Sequence, residues 1–549
     1  MSAFACGATG TVVLALALAP SWAPGPTAVP QWVEATGHDS CIYLRWQPQD
    51  APGTTYAVER APHPDGPFQR LGRTQLKTTV FCDWLGENGK TYWYRIVTMR
   101  GTEQVAVTRP VSATSVAEDD EALLTFVQEA TFRYFWDYAH PLSGMARERY
   151  GAASREHVVT IGGTGFGLMA LVVGSERGFV SKEAAAERTL KILEFLERKA
   201  RRYHGAWSHW LDGATGETIP FGKKRHNGQP VPDDQGRPID GDGGDLVETA
   251  YLVQGLLTVR QYFQERTQTQ SEVRELADRL WRQVEWDWYL NSAAEPDNLL
   301  LYWHWSPDHG FGMGLKVVGF NECMIVYLLA IASPTHPIPP ECYYQGWCSG
   351  SYENGREFYG RRIWVGPDYG GPLFFTHYSY LGFDPRGRDA FCNYFENHRN
   401  IALTHQEYCR RNPEGHAGYS SLVWGITASD GPDGYRAKRP GKDDGTIAAT
   451  AALSSMPYTP SESIQALKHM YHTYGARLWG PFGFRDAFNL GRDWFADSYL
   501  AIDQGPILIM IENYRTSLLW DVFMSSSEIP PMLAKIGWRR ESADTVAEG

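Results

Sequence analysis

The sequence predicts a mainly α-helical fold, an α/α toroid preceded by a small β-sandwich. Three observations carry this reading. After residue 118, roughly a dozen segments repeat their apolar residues with a helical period. These segments come in pairs, one apolar all round and one amphipathic, as an inner and an outer ring of helices would require. Before residue 113, short stretches alternate with period two between closely spaced turn signals.

The β region spans 30–113. Cys41–Trp46 alternates, with Ile42, Leu44 and Trp46 on one face. Residues 56–60 follow a Pro-Gly turn, and 92–97 follow the Asn88-Gly89 turn. The strand set resembles a fibronectin type III module. It carries no catalytic constellation and reads as a spacer or docking module. The helical region, 118–538, begins with a periodic segment at 122–138. Segments at 168–173, 181–203, 246–263, 272–289, 322–332, 389–409, 446–453, 461–474, 505–514 and 518–523 follow. Ser181 is a predicted N-cap, and Thr459-Pro460-Ser461-Glu462 has the form of a capping box. Residues 539–549 form a polar tail.

Composition excludes several functions. Of 549 residues, 51 are Lys or Arg and 63 are Asp or Glu, for a net charge of −12, so a nucleic-acid partner is not expected. A charged fraction of 21% is that of a globular chain. Trp 20, Tyr 29 and Phe 24 exceed what a core of this size needs, and flat apolar rings suit the faces of sugars. Residues 11–19 form an apolar run followed by Ser21-Trp22-Ala23, the form of an export signal, although no Lys or Arg precedes Arg45. That run is too short to span a bilayer, so no integral membrane segment is expected in the mature chain, which is predicted to be secreted or periplasmic. The eight cysteines form no CxxC pair; for an exported protein, Cys41 with Cys82 and Cys342 with Cys348 are the expected disulfides.

Four constellations bear on chemistry. In Asp240-Gly241-Asp242-Gly243-Gly244-Asp245-Leu246-Val247-Glu248, carboxylates crowd a Gly-rich loop that opens a helix. The spacing fails the EF-hand pattern. Asp245 and Glu248 fit a capping box; equally, Glu248 fits a buried general acid at the mouth of a cleft. In Thr427–Tyr435, Asp430 and Asp433 sit among turn residues beside Tyr435, either as solvated turn charges or as a base on a rigid loop. Trp207-Ser208-His209-Trp210, Tyr302-Trp303-His304-Trp305, and Trp364 with Tyr369 are candidate sugar platforms or core aromatics, and His209 and His304 lack metal-ligand spacing. Residues 158–167 mimic a dinucleotide loop, but the glycine spacing fails; close helix packing is the better reading.

Ordered blocks across the chain carry a family resemblance. They are GGTGFGLMALVVGSERG (162–178), GGDLVETAYLVQG (243–255), Asn321-Glu322, SPTHP (333–337), Phe375-Thr376-His377, YFEN (394–397), TASDGPDGY (427–435), DGTIAATAALSSMPYTP (444–460) and AIDQGPILIMIENYR (501–515). From about Leu123 to Trp538 the chain resembles the glycoamylase-like domain of glycoside hydrolase family 144, the bacterial endo-β-1,2-glucanases. The resemblance implies an (α/α)6 toroid, hydrolysis of β-1,2-glucan or a related β-glucan with inversion, and no metal or other cofactor. It puts the acid on Glu248 and the base on Asp430, with Asp433 the lesser candidate. Substrate contacts are expected from Trp207, Trp210, Asp242, Asp245, Trp303, Trp305, Glu322, His377, Asp433 and Tyr435. Glu148 and Glu156 lie where the family carries further acids. An insertion at about 223–240 leaves endo or exo cutting open. The rival expectations are a polysaccharide lyase or a transglycosylase on the same toroid, and a non-catalytic glucan-binding protein.

Overall fold

The computed structural model describes residues 29–540 except 50, 52, 227, 228 and 234. The predicted export signal and the last nine residues lie outside the described residues. Two compact units are present. One gathers residues up to Glu34 with Arg45–Thr79 and Tyr92–Ser112; the other takes Ala35–Leu44, Val80–Thr91 and everything from Ala113.

The β region contains β1 (Val33–His38), β2 (Cys41–Trp46), β3 (Thr54–Ala61), β4 (Gln69–Leu76), β5 (Val80–Trp84), β6 (Thr91–Arg100), β7 (Glu103–Val107) and β8 (Val111–Thr114). One sheet has the order β1-β2-β5; the other has β4-β3-β6-β7, with β8 also on β6. The β3–β6 ladder is antiparallel and unbroken from Thr54↔Arg100 to Ala61↔Trp93. In the first unit, Trp46 meets Tyr56 edge-on at 5.5 Å. Cys41 and Tyr43, which alternate with Ile42, Leu44 and Trp46 along β2, are buried as well. Tyr43 donates to the Pro481 carbonyl, and Tyr471 donates to the Asp39 carbonyl at 2.6 Å, so this face of β2 is covered within the second unit. Neither expected disulfide is formed: all seven described cysteines are free thiols.

The second unit holds α1 (Asp120–Trp136), α2 (Ile161–Glu176), α3 (Lys182–Arg198), α4 (Leu246–Tyr262), α5 (Gln268–Arg282), α6 (Met324–Ala332), α7 (Tyr394–Arg411), α8 (Ala449–Ser454), α9 (Pro460–Leu478), α10 (Ala501–Thr516), α11 (Leu518–Met524) and α12 (Ile529–Lys535). The even-numbered helices from α2 to α10 are apolar and almost wholly buried. They touch in the order α8, α10, α2, α4, α6, and two 3₁₀ turns, Leu373–Thr376 and Tyr378–Tyr380, lie against α6 and α7. The outer helices α3, α5, α7 and α9 bury one stripe and expose the other. Ser181 caps α3 as expected, through the Ala184 amide. The capping box expected at Thr459 does not form, because its hydroxyl turns back to the Ser455 carbonyl; Pro460 does begin α9.

Among the inner helices, α2, α4, α8 and α10 are each preceded by a two- or three-residue strand that pairs with a loop, and the N-termini of α2, α4 and α10 meet at one mouth. Loop carbonyls receive the first free amides: Ile161 donates to His209, Leu246 to Trp303, and Ala501 to Glu148. Inside, α2 and α4 approach until backbones touch. A Cβ on Gly165 would stand 2.2 Å from the Tyr251 carbonyl oxygen, and one on Gly255 would stand 2.3 Å from that of Gly165. The glycine run at 162–167 therefore serves helix packing. Gly165→Ala should destabilise the protein by about 3 kcal/mol. A urea midpoint unchanged from wild type would contradict the contact.

Candidate active site

A cavity of about 390 Å³ opens at the mouth. Glu248 lines it from the third position of α4. Asp245 is the N-cap of that helix, accepting from the amides of Val247 at 3.1 Å and Glu248 at 3.0 Å. The capping box is half formed: Glu248 does not reach back to Asp245. Its Oε2 instead accepts from the Gly162 amide at 2.7 Å, across the tight α2–α4 contact. Glu248 is 6% exposed, and burial raises its pKa. Asp245 raises it further; His209 and the Gly162 amide pull against the shift without cancelling it.

His209 lies 2.9 Å from Asp245 Oδ2 and 3.9 Å from Glu248 Oε1. Burial opposes its charge, but the carboxylates of Glu248 and Asp245 outweigh burial and raise its pKa. The ring of Phe221, itself 41% exposed, stacks flat on His209 at 3.6 Å. Glu322 also lines the cavity, and burial pushes its carboxyl up to about 7, with Glu248 adding to the shift.

The α10 side of the mouth carries a second acidic group. Asp430 pairs with Arg149 at 3.2 Å and accepts from Ser498 Oγ at 2.5 Å. Arg149 lines the cavity and also pairs with Glu148 at 3.0 Å. Strand pairing of Arg149 with Leu500 ties this segment to the start of α10. Ala501 lies against Gly163, so α10 flanks α2 opposite α4. Glu248 and Asp430 thus belong to the two sides of the α2 N-terminus. Lys438, 3% exposed, holds the Asp430 loop by donating to the Ser429 carbonyl at 3.0 Å and the Asp430 carbonyl at 3.3 Å.

Of the residues expected to contact substrate, Trp210, Glu322 and Tyr435 line the cavity. Others do not. Trp207 is fully buried, with Arg202 over its ring, and belongs to the core. Trp303 contributes its carbonyl to α4, and Trp305 pairs with Gly244 behind the cavity wall. Asp245 caps its helix and holds His209; Asp242 is half-buried off the cavity. His377 is a core residue whose Nε2 meets Ser455 Oγ at 3.1 Å. Asp433 is half-exposed and 3.5 Å from Arg492. Sequence reasoning missed Arg149, Phe221, Asp486 and Asp503. It treated His209 as structural, although the flanking tryptophans marked its loop.

A buried acid at a helix N-terminus, further carboxylates around one pocket and exposed aromatic faces at the rim define a carbohydrate-processing protein built on a helical toroid. Comparison with known proteins makes the class specific. The Glycoamylase family model matches residues 314–527. An exo-β-1,2-glucooligosaccharide sophorohydrolase (non-reducing end) of Parabacteroides distasonis is 41% identical, covering 94% of this chain and 72% of its own. The crystal structure of a β-1,2-glucanase from P. distasonis matches with TM-score 0.85 at 41% identity, over 93% of this chain and 72% of that one. The endo-β-1,2-glucanase of Chitinophaga pinensis, in complex with sophorotriose and glucose, matches with TM-score 0.71 at 46% identity, over 77% of this chain and 99% of that one. The chain belongs to glycoside hydrolase family 144, with its glycoamylase-like helical toroid.

Two predictions follow from the charges here. Asp245→Asn keeps an oxygen for the cap but removes a carboxylate from His209, so the His209 pKa should fall in an NMR titration at nearly unchanged stability; Asp245→Ala should also lose about 1 kcal/mol of capping. An unmoved His209 would disprove the pairing. Separately, burial holds His377 and His405 down to about 3, so the folded state keeps them neutral. Unfolded histidine titrates near ~6.5. Their contribution to stability is therefore full above that pH and lost as pH falls towards about 3. Urea midpoints should decline through this window, and a flat profile would show that these rings are charged in the fold.

Proposed function

We propose that this protein is an exported, inverting, exo-acting hydrolase of β-1,2-glucan chains. One observation supports the chemistry above the others: a buried carboxyl with a raised pKa, Glu248, and an Arg149-paired carboxylate, Asp430, flank the same helix N-terminus. Glu248 gives its proton to the glycosidic oxygen as that bond breaks. Asp430 takes a proton from the water that attacks the anomeric carbon from the opposite face, so the configuration inverts. Phe221, Trp210 and Tyr435 offer ring faces for the sugars. The carboxylate-lined mouth favours hydrolysis of a neutral glucan over a lyase, whose acidic substrate would be repelled.

The relatives support the substrate class, and the extent of the matches favours exo attack. The match to the exo-acting P. distasonis protein takes in 94% of this chain, β region included, whereas that to the endo-acting C. pinensis enzyme takes in 77%. Within this reading the helices form an (α/α)6 ring, with the 3₁₀ turns at 373–380 in one inner place, and the two sheets form a fibronectin type III-like sandwich. Export rests on the apolar run at 11–19 and would show as loss of the leader in secreted material.

The test is incubation with linear β-1,2-glucan and chromatography of the products. A disaccharide should be the main product from the earliest times, released as the α-anomer by NMR. Glu248→Gln should lower turnover by about 10²–10⁴-fold while sparing binding. A ladder of sizes would make the enzyme endo-acting; no release, or full activity in Glu248→Gln, would refute the hydrolase reading or the acid assignment.

A further inference from the structure

Behind Asp430 lie two carboxyls that the mechanism above leaves unused. Asp503 is the third residue of α10 and is 1% exposed; Asp486 precedes the strand Ala487–Asn489 and is 2% exposed. Asp486 accepts the Asp430 backbone amide on Oδ2 at 2.6 Å, and Asp503 accepts the Tyr378 hydroxyl on Oδ1 at 3.2 Å. The other oxygen of each, Asp486 Oδ1 and Asp503 Oδ2, is buried with no donor of its own. The two side chains lie within hydrogen-bonding reach of each other. Two carboxylates have no donor to place between them, so a bond there requires a proton.

We propose that Asp486 and Asp503 share one proton, held on Asp503, and act as a positioning pair that fixes the backbone of Asp430 at the mouth of the cavity. This rests on the reading of Asp430 as the base. The proton satisfies both orphaned oxygens and leaves a single negative charge behind Asp430, opposing the pull of Arg149 in front. The surroundings agree. Burial raises the pKa of both groups; the charge of Asp430 adds to the shift at Asp486, and the charge of Asp486 adds to that at Asp503, which is raised further. Asp430, Asp444 and the cation Lys438 face the pair from the 428–446 segment, Tyr435 from the same hairpin, and Tyr378 from its 3₁₀ turn, with Glu322 beyond it. From α8, Thr450 donates to the Asp503 carbonyl. Lys438 donates to backbone carbonyls and to Ser429 Oγ rather than to either carboxylate, so a proton is left to neutralise the pair.

The direct test needs no variant. In full-length protein labelled with ¹³C at aspartate carboxyls, one buried carboxyl should keep its proton at pH 7 and titrate far above the ordinary range. That signal should be absent in Asp503→Asn, whose amide donates where the acid did. Asp503→Ala, which cannot donate, should lower kcat on the order of 10²-fold through displacement of Asp430. Asp503→Asn should recover most of that loss, with KM little changed in both. No protonated aspartate at pH 7, equal loss in the two variants, or full activity in Asp503→Ala would overturn the proposal. Full activity in Asp430→Asn would instead refute the base assignment, and the titration would still decide the pair.

Discussion

The site depends on the place where α2 and α4 meet without side chains between them. Gly165 and Gly255 let the two backbones touch, and this closeness brings the Gly162 amide within 2.7 Å of Glu248. A Cβ at position 162 would itself stand 2.6 Å from the Glu248 carboxylate. Helix packing and acid placement are therefore one constraint. An α2 pushed outward by even one methyl group would strip Glu248 of its amide donor and open its burial to water, and both changes would alter its pKa.

The same end of the fold concentrates charge. Helix N-termini carry partial positive charge that favours ionised carboxylates. Glu248 and Asp503 both sit in first turns, yet both have raised pKa values, because burial among other carboxylates outweighs the helix field. The basic groups are distributed to match: Arg149 lies between Glu148 and Asp430, His209 between Asp245 and Glu248, and Lys438 against the Asp430 loop. The mouth thereby holds a buried carboxyl with a raised pKa in the cavity wall and, beside it, a carboxylate paired with the cavity-lining Arg149. That separation of states is what acid–base hydrolysis needs, and it arises from where each group's partners stand.

Much of this was legible in the sequence. The paired apolar and amphipathic segments give the inner and outer helices, and the failed dinucleotide spacing at 162–167 correctly pointed to close packing. Asp245 was legible as a cap, and it caps; Glu248, read as a candidate cleft acid, lines the cavity, because the backbone role of Asp245 leaves its side chain free. The platforms were less legible. Trp207 and Trp210 are three apart on a short strand segment, and sequence alone does not say which faces the core; the pairing of 158–160 with 210–212 puts Trp210 on the cavity. Trp303 drew attention as a ring but works through its carbonyl. Phe221, isolated in a polar stretch, carried no signal, since its importance comes from stacking on a histidine twelve positions earlier in the chain.

The acids at 486 and 503 show why the remainder was hidden. Neither belongs to a motif with a cap or turn signature. Each acquires its state from a partner distant in sequence: Asp486 from the Asp430 amide, Asp503 from the Tyr378 hydroxyl, and each from the other. An isolated aspartate is read from sequence as a solvated charge because that is its state in water. Three aspartates gathered at one loop, with the buried Lys438 bonded to its carbonyls, cannot all remain in that state. The chain meets the conflict by committing Asp430 to Arg149 at the cavity and leaving the two deeper groups to each other. Asp430 stays with the cavity-lining Arg149, and the acids least able to ionise lie behind it, where the Asp486 carboxyl holds its backbone amide.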